Sequence, residues 1–70
     1  MTAAQCRPAL ALIGYSQAEL AGAAIVPPTL VVDYGAGSVA PRVSDLDAIQ
    51  AALERAGVEF IEGRVRERKA

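Results

Sequence analysis

Residues 14–37 read GYSQAELAGAAIVPPTLVVDYGAG, and this stretch decides the fold. Ser16 and Glu19 have the spacing of a capping box, in which each side chain satisfies a free N–H group at a helix start. Pro28 and the proline before it are tolerated only in the first turn of a helix. The stretch therefore predicts two short helices separated by a tight turn, the second running from Pro28 to about Tyr34.

A first helix is predicted before this stretch. Thr2 and Gln5 form another capping box, and the helix would run to about Ile13 and end at Gly14. Pro8 lies within it, so either the helix kinks there or its regular part starts near Pro8. Its expected apolar face comprises Ala9, Leu10, Leu12 and Ile13.

A fourth helix is predicted after a loop that extends through Pro41. Ser44 with Asp47 would cap it, and Gly57 would stop it. Leu46, Ile49, Ala52 and Leu53 recur at helical spacing and mark its buried stripe. In the second and third helices the expected core residues are Leu20, Ala24, Leu30, Val31 and Tyr34.

The segment VEFI at residues 58–61 predicts a short strand. A strand of this length needs a partner. That partner is either Val65 with its neighbours or the same segment of a second copy, which would give a two-fold dimer. From Gly63 onward the chain carries four cations against one acid, which indicates a solvated tail or a tail that touches phosphate or a partner.

Length and composition exclude several classes of protein. Seventy residues hold one small domain. The chain has no histidine, so a zinc site is not expected, and its single cysteine, Cys6, suits a buried position in a reducing compartment. No apolar run is long enough for a membrane span, and the N-terminus lacks the features of a signal peptide. We expect a cytoplasmic protein without catalytic residues, metal or cofactor.

Two helices joined by a tight turn suggest a helix-turn-helix. The motifs GYSQAELA at 14–21 and DYGAG at 33–37, and the ending LERAGVEFI at 53–61, resemble the lambda-repressor-like (Xre-type) family. The ends TAAQCR and AGVEFI are similar to those of a subgroup of small bacterial regulators. The resemblance covers nearly the whole chain and is weakest in its middle.

The resemblance implies an all-α fold, a four- to five-helix lambda-repressor-like DNA-binding domain with a short C-terminal β-strand for dimerisation. Residues 1–57 would be the helix-turn-helix domain, 58–62 the dimerisation strand and 63–70 the basic tail. The third helix would enter the major groove, and Gln17 would lie on a phosphate. The expected dimer contacts are Val58, Phe60 and Ile61.

The chain departs from the family pattern in the turn and around the third helix. Ile25 stands where the family has glycine, so we expect it to adopt a negative φ and pack inward. Leu10 and Gly35 replace a family pair of arginine and glutamate, which leaves no orphan charge. Pro27, Pro28 and Thr29 replace polar residues, and Ala36, Ser38 and Val39 replace basic ones.

The candidate DNA contacts offer little direct readout. They comprise Gln17, Pro28, Thr29, Val32, Asp33, Ser38 and Arg42. Thr29 can contact a thymine methyl or a hydrogen-bonding base edge, whereas Asp33 can accept from cytosine but repels phosphate. Thr29 could instead bond its own backbone, and Arg42 could be a solvated loop charge.

Two functions therefore remain open. The first is a sequence-specific transcriptional regulator, either repressor or activator, that binds double-stranded DNA as a homodimer on a paired operator. The second is a degenerate helix-turn-helix module that binds another protein instead of DNA, since an exposed apolar helix suits a protein partner. Neither function involves a membrane or a small-molecule ligand.

Overall fold

The computed structural model describes residues 1–61 and 64–67. In this part of the chain, four helices precede a two-stranded antiparallel sheet. The elements are α1 (Ala3–Ile13), α2 (Gln17–Ala24), α3 (Pro28–Gly35), α4 (Val43–Arg55), β1 (Val58–Ile61) and β2 (Arg64–Glu67). The predicted all-α fold is confirmed in part: the described residues are mostly helical, and the predicted C-terminal strand is one of two.

The core is assembled from small and aliphatic side chains of all four helices and of β1. The largest fully buried side chains are Leu20, Ile49, Leu53, Val31, Val58 and Cys6. The stripe predicted for α4 is confirmed, and so are Leu20 and Ala24 in α2. Leu12 was wrongly placed in the core, because it is 40% exposed; the buried apolar residues of α1 are Cys6, Ala9 and Leu10.

The capping predictions hold for α1 and α2 and fail for α4. The Gln5 side chain accepts from the Thr2 N–H at 2.8 Å, and Glu19 and Ser16 exchange two bonds at 3.0 Å each. The fourth helix begins at Val43 with Arg42 as its N-cap, so Ser44 lies inside the first turn. Pro41 fixes its own φ, and the helix starts two residues later, before Ser44 is reached.

Helix α1 runs from Ala3 to Ile13 and includes Pro8, so its regular part starts before the proline. Pro8 lies on the exposed side of the helix. Solvent there can satisfy the backbone carbonyl that loses its intrahelical partner. At the other end, Gly14 is left-handed with φ 67°, as expected of a residue that ends a helix.

Strand β1 pairs with β2 of the same chain, which is the intrachain alternative left open by the sequence. Val58 lies opposite Glu67, and Phe60 lies opposite Val65. Arg66 also donates to Glu59 at 2.9 Å across the pair. Residues 64–67 are thus a strand rather than part of a free tail, which revises the expected division at residue 63. Glu62, Gly63, Arg68 and Lys69 lie outside the described residues.

The hairpin is attached to the helices by one buried polar side chain. Gln5 is 7% exposed, and its amide nitrogen donates to the Arg64 carbonyl oxygen at 3.2 Å. The same carboxamide accepts from Thr2 through its oxygen, so both ends of the group are used. The Gln5 side chain therefore links the start of α1 to β2.

Candidate nucleic-acid interface

Helices α2 and α3 pack against each other and are joined by residues Ile25 to Pro27. The reversal is closed by backbone bonds of 3.4 Å from the Ile25 N–H to the Gly22 oxygen and 3.0 Å from the Val26 N–H to the Ala21 oxygen. The second bond spans five residues, which is the pattern of a Schellman ending. This ending requires a left-handed residue at the end of α2.

Ile25 occupies that left-handed position, so the prediction of a negative φ was wrong. Its φ and ψ are 58° and 50°, and its side chain is 92% exposed rather than packed inward. Val26 packs against the core in its place. The backbone bonds that close the turn thus outweigh the steric cost of a β-branched residue in this region.

Helix α3 has a buried side and an exposed side. Val31 is fully buried and Tyr34 is 6% exposed, while Leu30, predicted in the core, is half-buried. Packing through Val31 and Tyr34 fixes how the helix is rotated about its axis. The opposite side is therefore left facing away from the rest of the chain.

The exposed side of α3 brings together four of the predicted contact residues. They are Pro28, Thr29, Val32 and Asp33, all exposed. Val32 follows Pro28, and Asp33 follows Thr29, by one helical turn, so two adjacent stripes lie on this side. We call these four residues the α3 face. It contains one hydroxyl, one carboxylate and two apolar groups, and no cation.

Two of the remaining predicted contacts, Ser38 and Gln17, lie near the C-terminal end of α3. Ser38 is exposed in the loop just after α3, where its N–H donates to the Asp33 carbonyl oxygen at 2.8 Å. Gln17 is half-buried at the first position of α2. Its amide nitrogen comes within 3.8 Å of the point where a Cβ on Gly35 would lie. Gln17 is therefore next to the C-terminal end of α3.

Arg42 lies further along, at the start of α4. Its side chain is 86% exposed and its Nε is 3.7 Å from a carboxylate oxygen of Asp45. Such an exposed pair holds its cation weakly, so a phosphate could displace Asp45. Within residues 1–61 and 64–67, no hydrogen bond or ion pair connects Arg42 to the α3 face.

Tyr34 and Cys6 hold α3 against α1 beneath the exposed side. Burial raises the pKa of the Cys6 thiol, and the nearby cation of Arg7 partly opposes this effect. Burial also raises the pKa of Tyr34, with a smaller contribution from Cys6. The Tyr34 hydroxyl donates to the Met1 carbonyl oxygen at 3.4 Å. Both groups therefore stay neutral at ordinary pH and have structural positions.

Sequence reasoning missed the side chain that contacts Gly35. The Cγ and Nε atoms of Arg7 lie 3.6 Å from the position of a Cβ on Gly35. Leu10, which stands at the position of the arginine in the family pair, is a core residue that is 6% exposed. A cation therefore lies beside Gly35 although the family's arginine is replaced by Leu10, and Arg7 supplies it.

The predicted dimer contacts have unequal exposure. Val58 is fully buried in the core of its own chain, so only its backbone could take part in an interface. Phe60 and Ile61 are half-buried. Among the backbone hydrogen bonds of residues 1–61 and 64–67, none joins β1 to an element other than β2. In the described two-stranded sheet, one edge of β1 therefore pairs with no other strand.

Comparison with known protein families and with curated proteins finds no match for this chain. In the part of the chain that the structure describes, none of the helices has the length and apolar character needed to cross a lipid bilayer. Those residues also hold no group of three or more His, Cys, Asp or Glu side chains arranged to bind a metal ion.

Proposed function

We propose that this protein is a lambda-repressor-like transcriptional regulator of the cytoplasm that binds double-stranded DNA through the α3 face. The observation that carries the proposal is the rotation of α3: Val31 and Tyr34 face the core while Pro28, Thr29 and Val32 face outward. A helix presented in this way, at the second position of a helix-turn-helix pair, has the placement of a recognition helix. The sequence resemblance supports the same function.

The chemistry of the α3 face determines what it can read. Pro28 and Val32 can contact thymine methyl groups, and Thr29 can add a hydrogen bond or a methyl contact. No side chain on this face can make the bidentate contact that gives about 1–3 kcal/mol of discrimination per base pair. Specificity is therefore modest and relies partly on DNA shape.

The phosphate contacts are few as well. Gln17 and Ser38 lie near the C-terminal end of α3, and Arg42 lies further along, at the start of α4. Of these three residues only Arg42 is charged. Each phosphate neutralised by a cation steepens the salt dependence of binding by about 0.9 in the log–log slope. We therefore expect a shallower salt dependence than that of a typical repressor, in keeping with the net charge of −1.

Pairing of two copies would place two α3 faces on one side of the duplex. We propose that the edge of β1 that does not pair with β2 forms this contact, with Phe60 and Ile61 beside it. The two recognition helices would then lie about 34 Å apart, one turn of DNA. Control of transcription would follow from occupation of a promoter and from the concentration of dimer.

A titration of labelled duplexes by fluorescence anisotropy tests the function. We expect the DNA upstream of the protein's own coding sequence to bind more tightly than a scrambled duplex of equal composition. Thr29→Val, which keeps the shape of the side chain and removes its hydroxyl, should reduce that difference. Equal binding of both duplexes by the unmutated protein would contradict sequence-specific regulation.

A second candidate function is binding to another protein, and the exposure of Ile25 favours it. A β-branched apolar side chain that is 92% exposed in a left-handed conformation gains nothing for the fold. Closing the turn requires a left-handed backbone at this position but not an isoleucine side chain, and strained residues cluster at functional sites, ligand-binding sites among them. Ile25→Gly should leave DNA binding unchanged under the first function, and should abolish binding to a protein partner under the second.

A further inference from the structure

Arg7 and Gln17 both lie close to Gly35. Arg7 belongs to α1 and Gln17 opens α2, so residues from two elements converge on the end of a third. The Nε of Arg7 and the amide nitrogen of Gln17 lie 3.6 Å and 3.8 Å from the place that a Cβ on Gly35 would take. The absence of a side chain at residue 35 leaves this space open.

The position of Gly35, which Arg7 and Gln17 approach, lies at the border of the α3 face. Gly35 follows Val32 by three residues and Pro28 by seven, so all three fall on one side of the helix. The N–H donors of Arg7 and Gln17 are therefore next to the residues proposed to enter the groove. We expect a duplex that reaches Val32 to bring a phosphate backbone near these donors.

Within the described residues, Arg7 forms no ion pair. It is exposed, and the ion pairs formed within residues 1–61 and 64–67 belong to Arg42 and Arg66. A guanidinium offers N–H donors in a planar fork and accepts nothing, and the carboxamide nitrogen of Gln17 is also a donor. Two such donors near one open position suit an oxyanion, since hydrogen bonds to a charged group are stronger than those between neutral groups.

We propose that Arg7, together with Gln17, contacts a backbone phosphate of the DNA beside the α3 face. This inference rests on the proposed function and adds a cation that the sequence patterns did not single out. Glycine at residue 35 is part of the arrangement: an acidic side chain there would pair with Arg7 and compete with the phosphate.

The test measures the salt dependence of duplex binding for Arg7→Gln and for Arg66→Gln. Arg66 is the matched control, because its charge already pairs with Glu59 at 2.9 Å. Loss of one phosphate contact changes the log–log slope by about 0.9 per subunit. Between 50 and 200 mM salt, the affinity of the unmutated protein should thus fall about 3.5-fold more per subunit than that of Arg7→Gln.

A second pair of variants changes the site without replacing Arg7. Gly35→Glu should weaken binding and flatten the slope as Arg7→Gln does, whereas Gly35→Gln, of nearly equal size, should keep the slope of the unmutated protein. Circular dichroism of each variant establishes that it is folded before its binding is compared.

The outcomes separate the two proposals. A flattened slope for Arg7→Gln alone supports the phosphate contact. An unchanged slope for Arg7→Gln, or equal flattening by Arg66→Gln, overturns it while DNA binding itself stands. No binding of any duplex by the unmutated protein at low salt overturns both the contact and the proposed function.

Discussion

Replacing Ile25 with glycine should stabilise the protein, although most substitutions of aliphatic residues destabilise. Ile25 has φ 58° and is 92% exposed. A left-handed conformation costs an L-residue roughly 1–2 kcal/mol, and glycine is free of that cost. Little buried apolar surface is lost, because so little of the side chain is buried.

The gain is reduced by the greater freedom of glycine in the unfolded chain, which costs about 0.5–1 kcal/mol. Subtracting this cost from the cost of the left-handed conformation leaves a range of about 0–1.5 kcal/mol. We expect a value near its centre, a free energy of unfolding higher by about 0.5–1 kcal/mol. With a denaturant dependence of about 1 kcal/mol per molar urea for a small domain, the midpoint of unfolding should rise by roughly 0.5–1 M.

Val43→Gly provides the matched control. Val43 is also β-branched and is 73% exposed, but it is the first residue of α4 and has a helical conformation. Glycine there should lower the free energy of unfolding by about 0.5–1 kcal/mol. Urea unfolding followed by circular dichroism measures both variants. If Ile25→Gly lowers the midpoint as Val43→Gly does, the turn is not strained and the reasoning fails.

Four further substitutions test the packing of the helices and the attachment of the hairpin. Gly35→Ala should raise the free energy of unfolding by roughly 0.5 kcal/mol, since the added Cβ would lie at an ordinary contact distance of 3.6 Å from Arg7. Gly14→Ala should lower the free energy of unfolding by about 1 kcal/mol, because Gly14 has a φ of 67°. Equal effects of the two substitutions would refute this reasoning. Gln5→Met should cost about 1 kcal/mol by removing the bond to β2, and an unchanged urea midpoint would show that the bond contributes nothing. Because burial raises the pKa of Cys6 above its ordinary 9.0, the folded chain retains that proton longer than the unfolded chain. Stability should therefore fall as pH rises above about 9, less so in Cys6→Ala, and identical pH profiles would contradict this.

The helices could be predicted because their signals are local. Capping residues at Ser16 and Thr2 and the stripe around Ile49 depend on spacing within one helix, and the structure agrees with each. The start of α4 was predicted wrongly because Ser44 is a residue type that favours the N-cap, yet it lies inside the first turn of a helix whose N-cap is Arg42. The N-cap Arg42 makes no side-chain capping bond, so no capping residue in the sequence marks where this helix begins.

The turn and the border of the α3 face depend on tertiary contacts and could not be predicted in the same way. Propensity disfavours Ile25 in a left-handed conformation, yet closing the turn between α2 and α3 requires one there. The approach of Arg7 to Gly35 joins residues far apart in the sequence. No spacing rule within a single element describes such a contact.

Nuclear magnetic resonance of the labelled chain, titrated with the upstream duplex, tests most directly whether α3 is the DNA-binding helix. We expect the largest amide shift changes at Gln17, Thr29 and Val32, with small changes at Ala48 on α4. Changes confined to the C-terminal residues, with α3 unaffected, would contradict the account and assign the α3 face to another partner.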